Sequence, residues 1–131
     1  MRGINPRGAW VGVDLDGTLA HIGGLGRNYE MTSRGQVWIG NPIPVMVARV
    51  KKMLAEGKDV RIFTARVSPS GGDEWVNACK RAIESWCLEH LGQVLPVTCE
   101  KDYGLCEMWD DIAIGVVRDT GQIATREEQK P

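Results

Sequence analysis

The chain's first strong pattern is a continuous apolar run, Ala9-Trp10-Val11-Gly12-Val13-Asp14-Leu15, which ends at an acidic pair. Such a run, bounded by turn residues and lacking alternation, suits a strand buried on both faces. Residues 20–41 break the pattern, because Gly23, Gly24, Gly26, Gly35 and Gly40 interrupt a polar stretch. Within it, 29–32 and 36–39 read as two short hairpin arms around Ser33-Arg34-Gly35. Ile43, Met46, Val47, Val50 and Leu54 then recur at three- and four-residue spacing, which predicts a helix opening at Pro42-Ile43-Pro44 and stopping at Gly57. Val60-Arg61-Ile62-Phe63 follows as a strand that ends at Thr64-Ala65-Arg66.

A longer helix is predicted from Asp73 to Gly92. Trp75, Cys79, Ala82, Ile83, Trp86, Cys87 and Leu91 form its apolar stripe, and Glu74, Lys80, Arg81, Glu84 and Glu89 lie away from it. Three strands are expected after it, at 94–99, 105–109 and 112–117, the first with Pro96 at an edge or early-strand position. Strands alternating with helices imply right-handed crossovers. The expected fold is therefore α/β, a Rossmann-like three-layer sandwich around a mainly parallel sheet, with one domain over 1–131, a flap at about 20–41 and a frayed tail at about 122–131.

Composition narrows the class. With 131 residues and 43% hydrophobic content, the chain can bury a core without staples. Sixteen Lys and Arg against 17 Asp and Glu leave a net charge of −1, which argues against a general basic field for duplex DNA. No stretch is long and apolar enough for a membrane span, and the first residues lack the apolar core of a signal peptide, so a cytoplasmic protein is expected. Cys79, Cys87, Cys99 and Cys106 show no CxxC spacing and read as buried thiols rather than zinc ligands.

In an open parallel sheet, ligands bind beyond the carboxyl ends of the strands. Those ends carry Asp14-Leu15-Asp16-Gly17-Thr18, Thr64-Ala65-Arg66, Lys101 and Asp110-Asp111. Crowded carboxylates repel and raise one another's pKa unless a cation lies among them, and a set of oxygen donors favours Mg²⁺. Gly17 permits a sharp turn and is expected to present backbone N–H groups to an anion.

These residues resemble a known family. Asp14-Leu15-Asp16-Gly17-Thr18-Leu19 is similar to the DxDGT(L) signature of the haloacid dehalogenase-like (HAD) phosphohydrolases. Thr64, Lys101 and Asp110-Asp111 resemble that family's second, third and fourth motifs, and the likeness spans about residues 9–117. The resemblance implies a Mg²⁺-dependent phosphatase that cleaves a phosphomonoester through an aspartyl-phosphate on Asp14. Asp16 would be general acid and then base, with Thr64 and Lys101 holding phosphoryl oxygens. Asp14, the backbone carbonyl of Asp16, and Asp110 or Asp111 would ligate the metal, while Gly17, Thr18 and Arg66 would contact substrate. The acid at Asp16 argues against dehalogenation, since a halide needs no proton to leave.

Neither 19–63 nor 65–100 has room for a cap domain. An open site suits a nucleic-acid end or other macromolecular phosphoester, or a phosphorylated small molecule or nucleotide enclosed by a neighbouring subunit. Tyr29 and Trp38 are candidates for stacking on a flat substrate group, and His21 for touching it. His90, Lys51-Lys52 and Asp102 read as surface features. The competing class is a non-catalytic, receiver-like phospho-acceptor module, although Asp14 and Asp16 alternating around Leu15 and running into Gly-Thr fit the hydrolase pattern better.

Overall fold

The computed structural model describes residues 8–22 and 37–124. The predicted hairpin falls largely outside them, Tyr29 included. The elements run β1 (Trp10–Asp14), α1 (Pro44–Ala55), β2 (Val60–Phe63), two short 3₁₀ turns (Ala65–Val67 and Pro69–Gly71), α2 (Asp73–Leu91), β3 (Val97–Thr98) and β4 (Leu105–Trp109). All four strands are parallel, in the order β3-β2-β1-β4.

This order follows from the connections. The two helical crossovers step the same way across the sheet, from β1 to β2 to β3, so a right-handed path puts both helices on one face. Val11 and Val13 of β1 pair in register with Val60 and Ile62 of β2, and all four belong to the core. Met46, Val50 and Met53 of α1 cover that face together with Cys79, Ile83, Trp86 and Cys87 of α2. The opposite face carries Trp10, Phe63 stacked on it, and Arg61 over the Trp10 ring at 4.7 Å. Among the described residues no helix covers this second face, so two of the three expected layers are seen.

Each helix keeps the pattern written into it. Pro44 starts α1, where its missing N–H costs nothing, and the glycines at 57 and 92 follow α1 and α2 with positive φ. Met53 is buried more deeply than the expected Leu54, which is half-exposed. On α2, Cys79, Ile83, Trp86, Cys87 and Leu91 are buried and the five charged positions are exposed.

Two strand expectations are corrected. Residues 112–117 form no strand of the sheet. The Asp110 carboxylate accepts the Ile112 N–H at 3.0 Å, an Asx turn that carries the chain off the sheet. Beyond it the only strand-like pairing described is a single Val116–Ile123 bridge. The strand expected at 94–99 shrinks to Val97–Thr98, although the Pro96 carbonyl still accepts the Ile62 N–H at 2.8 Å. As an edge strand, β3 tolerates the proline.

Candidate active site at the carboxyl end of the sheet

The chain leaves β1 toward β2 on one side, while β4 lies on the other. The crevice between β1 and β4 is therefore the topological switch point, where open α/β sheets bind ligands. A one-residue irregularity sets its register, since Trp10 faces Leu105 but Val11 faces Glu107. Val13 then pairs with Trp109, so Asp110 follows at the level of Asp14. Carboxylate oxygens of Asp14, Asp110 and Asp111 lie within 4.8 Å of one another. The Thr18 hydroxyl sits 3.2 Å from both Asp14 Oδ2 and Asp111 Oδ1, tying the two acids together.

Electrostatics register the crowding. Burial, the hydrogen bond to Asp111 and the charges of Asp110 and Asp111 push the Asp14 carboxyl up to about 7, with Thr18 opposing the rise. A cation among the three acids would remove this penalty. The donors are all oxygen, as Mg²⁺ requires, and Asp111 is exposed enough to leave room for the waters that ion keeps. The side-chain set fits a magnesium ion. The Asp16 carboxylate is not part of it.

Asp16 faces the other way. Arg66 grips it with two nitrogens, Nε to Oδ2 and Nη2 to Oδ1, both at 2.8 Å. The third guanidinium nitrogen donates to the Trp38 carbonyl at 3.0 Å. Arg66 is only 5% exposed, so this fork is a buried, charge-assisted clamp between the β2 end and the base of the 20–41 segment. Arg66, expected as a substrate contact, lines the cavity with its guanidinium engaged by Asp16.

Thr64, the last residue before the first 3₁₀ turn, is 3% exposed. Its oxygen accepts the Arg66 backbone N–H at 3.2 Å. Among the described residues its own hydroxyl proton has no acceptor, and the side chain lines the cavity, so it can donate to a ligand oxygen there. That cavity, of about 570 Å³, is lined by the polar residues Asp14, Asp16, Thr64, Arg66 and Asp111 and by the apolar residues Ile22, Ala65, Trp75 and Ile112.

Gly17 is indispensable for a different reason than expected. Its φ is +91°, and a Cβ there would lie 2.6 Å from Asp111 Oδ2. Its N–H, however, donates to the Ala20 carbonyl at 2.8 Å, and the Thr18 N–H to Leu15, so neither amide is left to bind an anion. Lys101 lies three residues past β3, is exposed, and does not line the cavity. The structure thus brings together Asp14, Asp16, Thr18, Thr64, Arg66, Asp110 and Asp111, with Gly17 beneath them, and leaves Lys101 outside. His21 is exposed, and Trp38 contributes its carbonyl rather than its ring to the contacts described.

The sequence reading missed Trp75, Ile22 and Ile112. Trp75 counted as core because it matched the apolar stripe of α2. The overlooked signal was position, since the first turn of a helix that follows a parallel strand begins at the ligand-binding edge. Comparison of the chain with protein-family models, curated proteins and solved structures found no match.

Proposed function

We propose that the protein is a magnesium-dependent phosphomonoesterase of the HAD kind, built on a Rossmann-like core whose third layer would complete the sandwich, and acting on a phosphorylated small molecule, a nucleotide or a nucleic-acid end. The observation that carries this reading is the convergence of Asp14, Asp110 and Asp111 at the switch point, beside a buried Thr64 hydroxyl whose proton meets no acceptor among the described residues. Asp14, Asp110 and Asp111 would hold the metal through carboxylate oxygens. When bound, the ion would supply the positive charge that three acids and an incoming phosphate require.

In this reading Asp14 attacks phosphorus and the alcohol leaves, giving an aspartyl-phosphate that water then hydrolyses. Thr64 donates to a phosphoryl oxygen from its fixed place at the end of β2. Asp16 passes a proton to the leaving oxygen and later takes one from water. Both Asp16 oxygens accept from Arg66, so the proton can ride on Asp16 only when one arm of the clamp opens. Arg66 is thus a positioning residue, which holds the Asp16 carboxylate apart from the three acids around the metal. With Lys101 outside the cavity, its expected work on the phosphoryl group falls to Thr64 and the metal.

The test is phosphate release from p-nitrophenyl phosphate and a panel of metabolite, nucleotide and phosphorylated-oligonucleotide esters, with and without Mg²⁺. Release is expected only with Mg²⁺, and Asp14→Asn should remove it while circular dichroism still reports a folded protein. Release that ignores both chelator and Asp14→Asn would overturn the reading.

A further inference from the structure

We propose that the apolar lining of the cavity, Trp75 with Ile22 and Ile112, is a leaving-group subsite for a neutral aromatic ring, so that the preferred phosphomonoester carries a flat group on its alcohol. The inference rests on the phosphatase reading and names its substrate class. A phosphoryl group fills only a small part of about 570 Å³, a size that suits a ligand several times larger. Ile22, Ala65, Trp75 and Ile112 make the rest of the lining apolar. Ile112 is 82% exposed and Ile22 46%, so two large aliphatic side chains stand uncovered beside the acids. Ile22 is continuous with the acidic end, because its Cδ1 lies 3.2 Å from where a Gly17 Cβ would be.

Trp75 gives this wall its shape. It sits in the first turn of α2, half-buried, with Gly71 packed so closely on the indole Cδ1 that a methyl group at 71 would collide with it. The ring is therefore fixed at its edge, and a fixed indole favours another flat ring over a flexible chain. Charge disfavours the main alternative, a second phosphate. Among the described residues lining the cavity, Arg66 is the only cation, and its guanidinium is engaged by Asp16 and Trp38. Among the described residues lining the cavity, the remote end of the substrate meets no free positive group, which favours a neutral one. A nucleoside and an aryl alcohol both meet these demands.

Binding can be read without turnover. The chain has five tryptophans, and the indole N–H resonance lost in Trp75→Phe identifies that of Trp75. Adenosine should shift this resonance and ribose should not. On Asp14→Asn, adenosine 5′-monophosphate should bind about tenfold tighter than ribose 5-phosphate, and adenosine diphosphate more weakly than the monophosphate. Trp75→Ala should remove that tenfold and Trp75→Phe retain most of it. Ile112→Ser, at a side chain the fold does not bury, should weaken adenosine about threefold, which keeps the test valid if Trp75→Ala unfolds. A parallel titration with phenyl phosphate separates an aryl from a nucleoside preference. Equal affinity for the sugar phosphate and the nucleotide, or no effect of the Trp75 and Ile112 substitutions, would overturn the subsite. If adenosine binds at Trp75 yet no ester is hydrolysed, the phosphatase reading fails and the subsite stands. If hydrolysis is equally fast with ribose 5-phosphate and the nucleotide, the reverse holds.

Discussion

On the β2 side of the cavity, the polar side chains are buried and tied: Thr64 to the Arg66 backbone, Arg66 to Asp16 and to Trp38. On the β4 side, Asp111 is exposed, Ile112 and Ile114 stand in solvent, and the chain beyond Asp110 has left the sheet. One wall is buried in the fold, and the other is an exposed turn tied back to it through Thr18 and Asp14. The difference teaches that rigidity here follows sheet position. The β2 end lies between two strands and under α2, whereas among the described residues β4 is an edge strand and its continuation is largely exposed.

The contrast can be broken most forcefully at Arg66. Arg66→Met removes the buried guanidinium that grips Asp16, so equilibrium unfolding in urea should show a loss of about 3 kcal/mol. Adding Asp16→Asn to that variant should recover part of the loss. If the single substitution costs nothing, the fixed wall is not fixed by this clamp.

A second effect lies where the two walls meet. The Asp14 carboxyl has an unfolded-state value near 3.8 and is pushed up to about 7 in the fold. Between those values the folded protein holds a proton that the unfolded chain has lost, so stability falls as pH rises and the penalty is complete above about 7. A tenfold change in proton affinity is worth about 1.4 kcal/mol, and with solvent at this half-buried group a loss on the order of 2 kcal/mol is expected in chelator. Thermal unfolding at pH 5 and pH 8 measures it. Asp14→Asn should flatten the profile and raise the melting temperature at pH 8, and Mg²⁺ should rescue the unmodified protein alone. A metal-free protein equally stable at both pH values would contradict the crowding described at the switch point.

Gly17→Ala tests the joint itself. Positive φ and the approach of Asp111 should together cost about 1.5 kcal/mol. Displacing Asp111 should also weaken Mg²⁺ about tenfold in a calorimetric titration. The smallest effect is expected on the open wall. Ile114, 71% exposed, should tolerate Ile114→Ser within about 0.5 kcal/mol in the same urea assay. A larger loss would mean that the β4 side is packed after all.

The sequence made the fixed wall more legible than the open one. The apolar run at Trp10–Asp14, the stripe of α2 and the glycine stops at 57 and 92 each carry a local signal strong enough to survive folding. Asp14, Asp16, Thr64 and Asp110-Asp111 were readable because strand ends in a parallel sheet converge. What escaped was pairwise. That Arg66 would turn to Asp16, or that the Gly17 amide would be spent on Ala20, depends on side-chain and turn geometry over which spacing has no control. The apolar sequence at 112–117 looked like a strand because alternation cannot report the Asx turn at Asp110 that diverts it. Lys101 looked placed because three residues after β3 are indistinguishable, in a sequence, from the strand's end.

The stem of the flap has a consequence for protein engineering. Ala20 bridges to Pro42, the His21 N–H bonds to the Asn41 carbonyl, and Gly40 runs so close against the His21 backbone that no side chain fits there. The Trp86 indole pins the Gly40 carbonyl from the core side at 3.0 Å. Entry and exit strands are thus stapled together before residue 23 and after residue 36. The two ends, Ala20-His21 and Gly40-Pro42, are therefore anchored to each other by the described residues, so a substitution that frees one end frees the other.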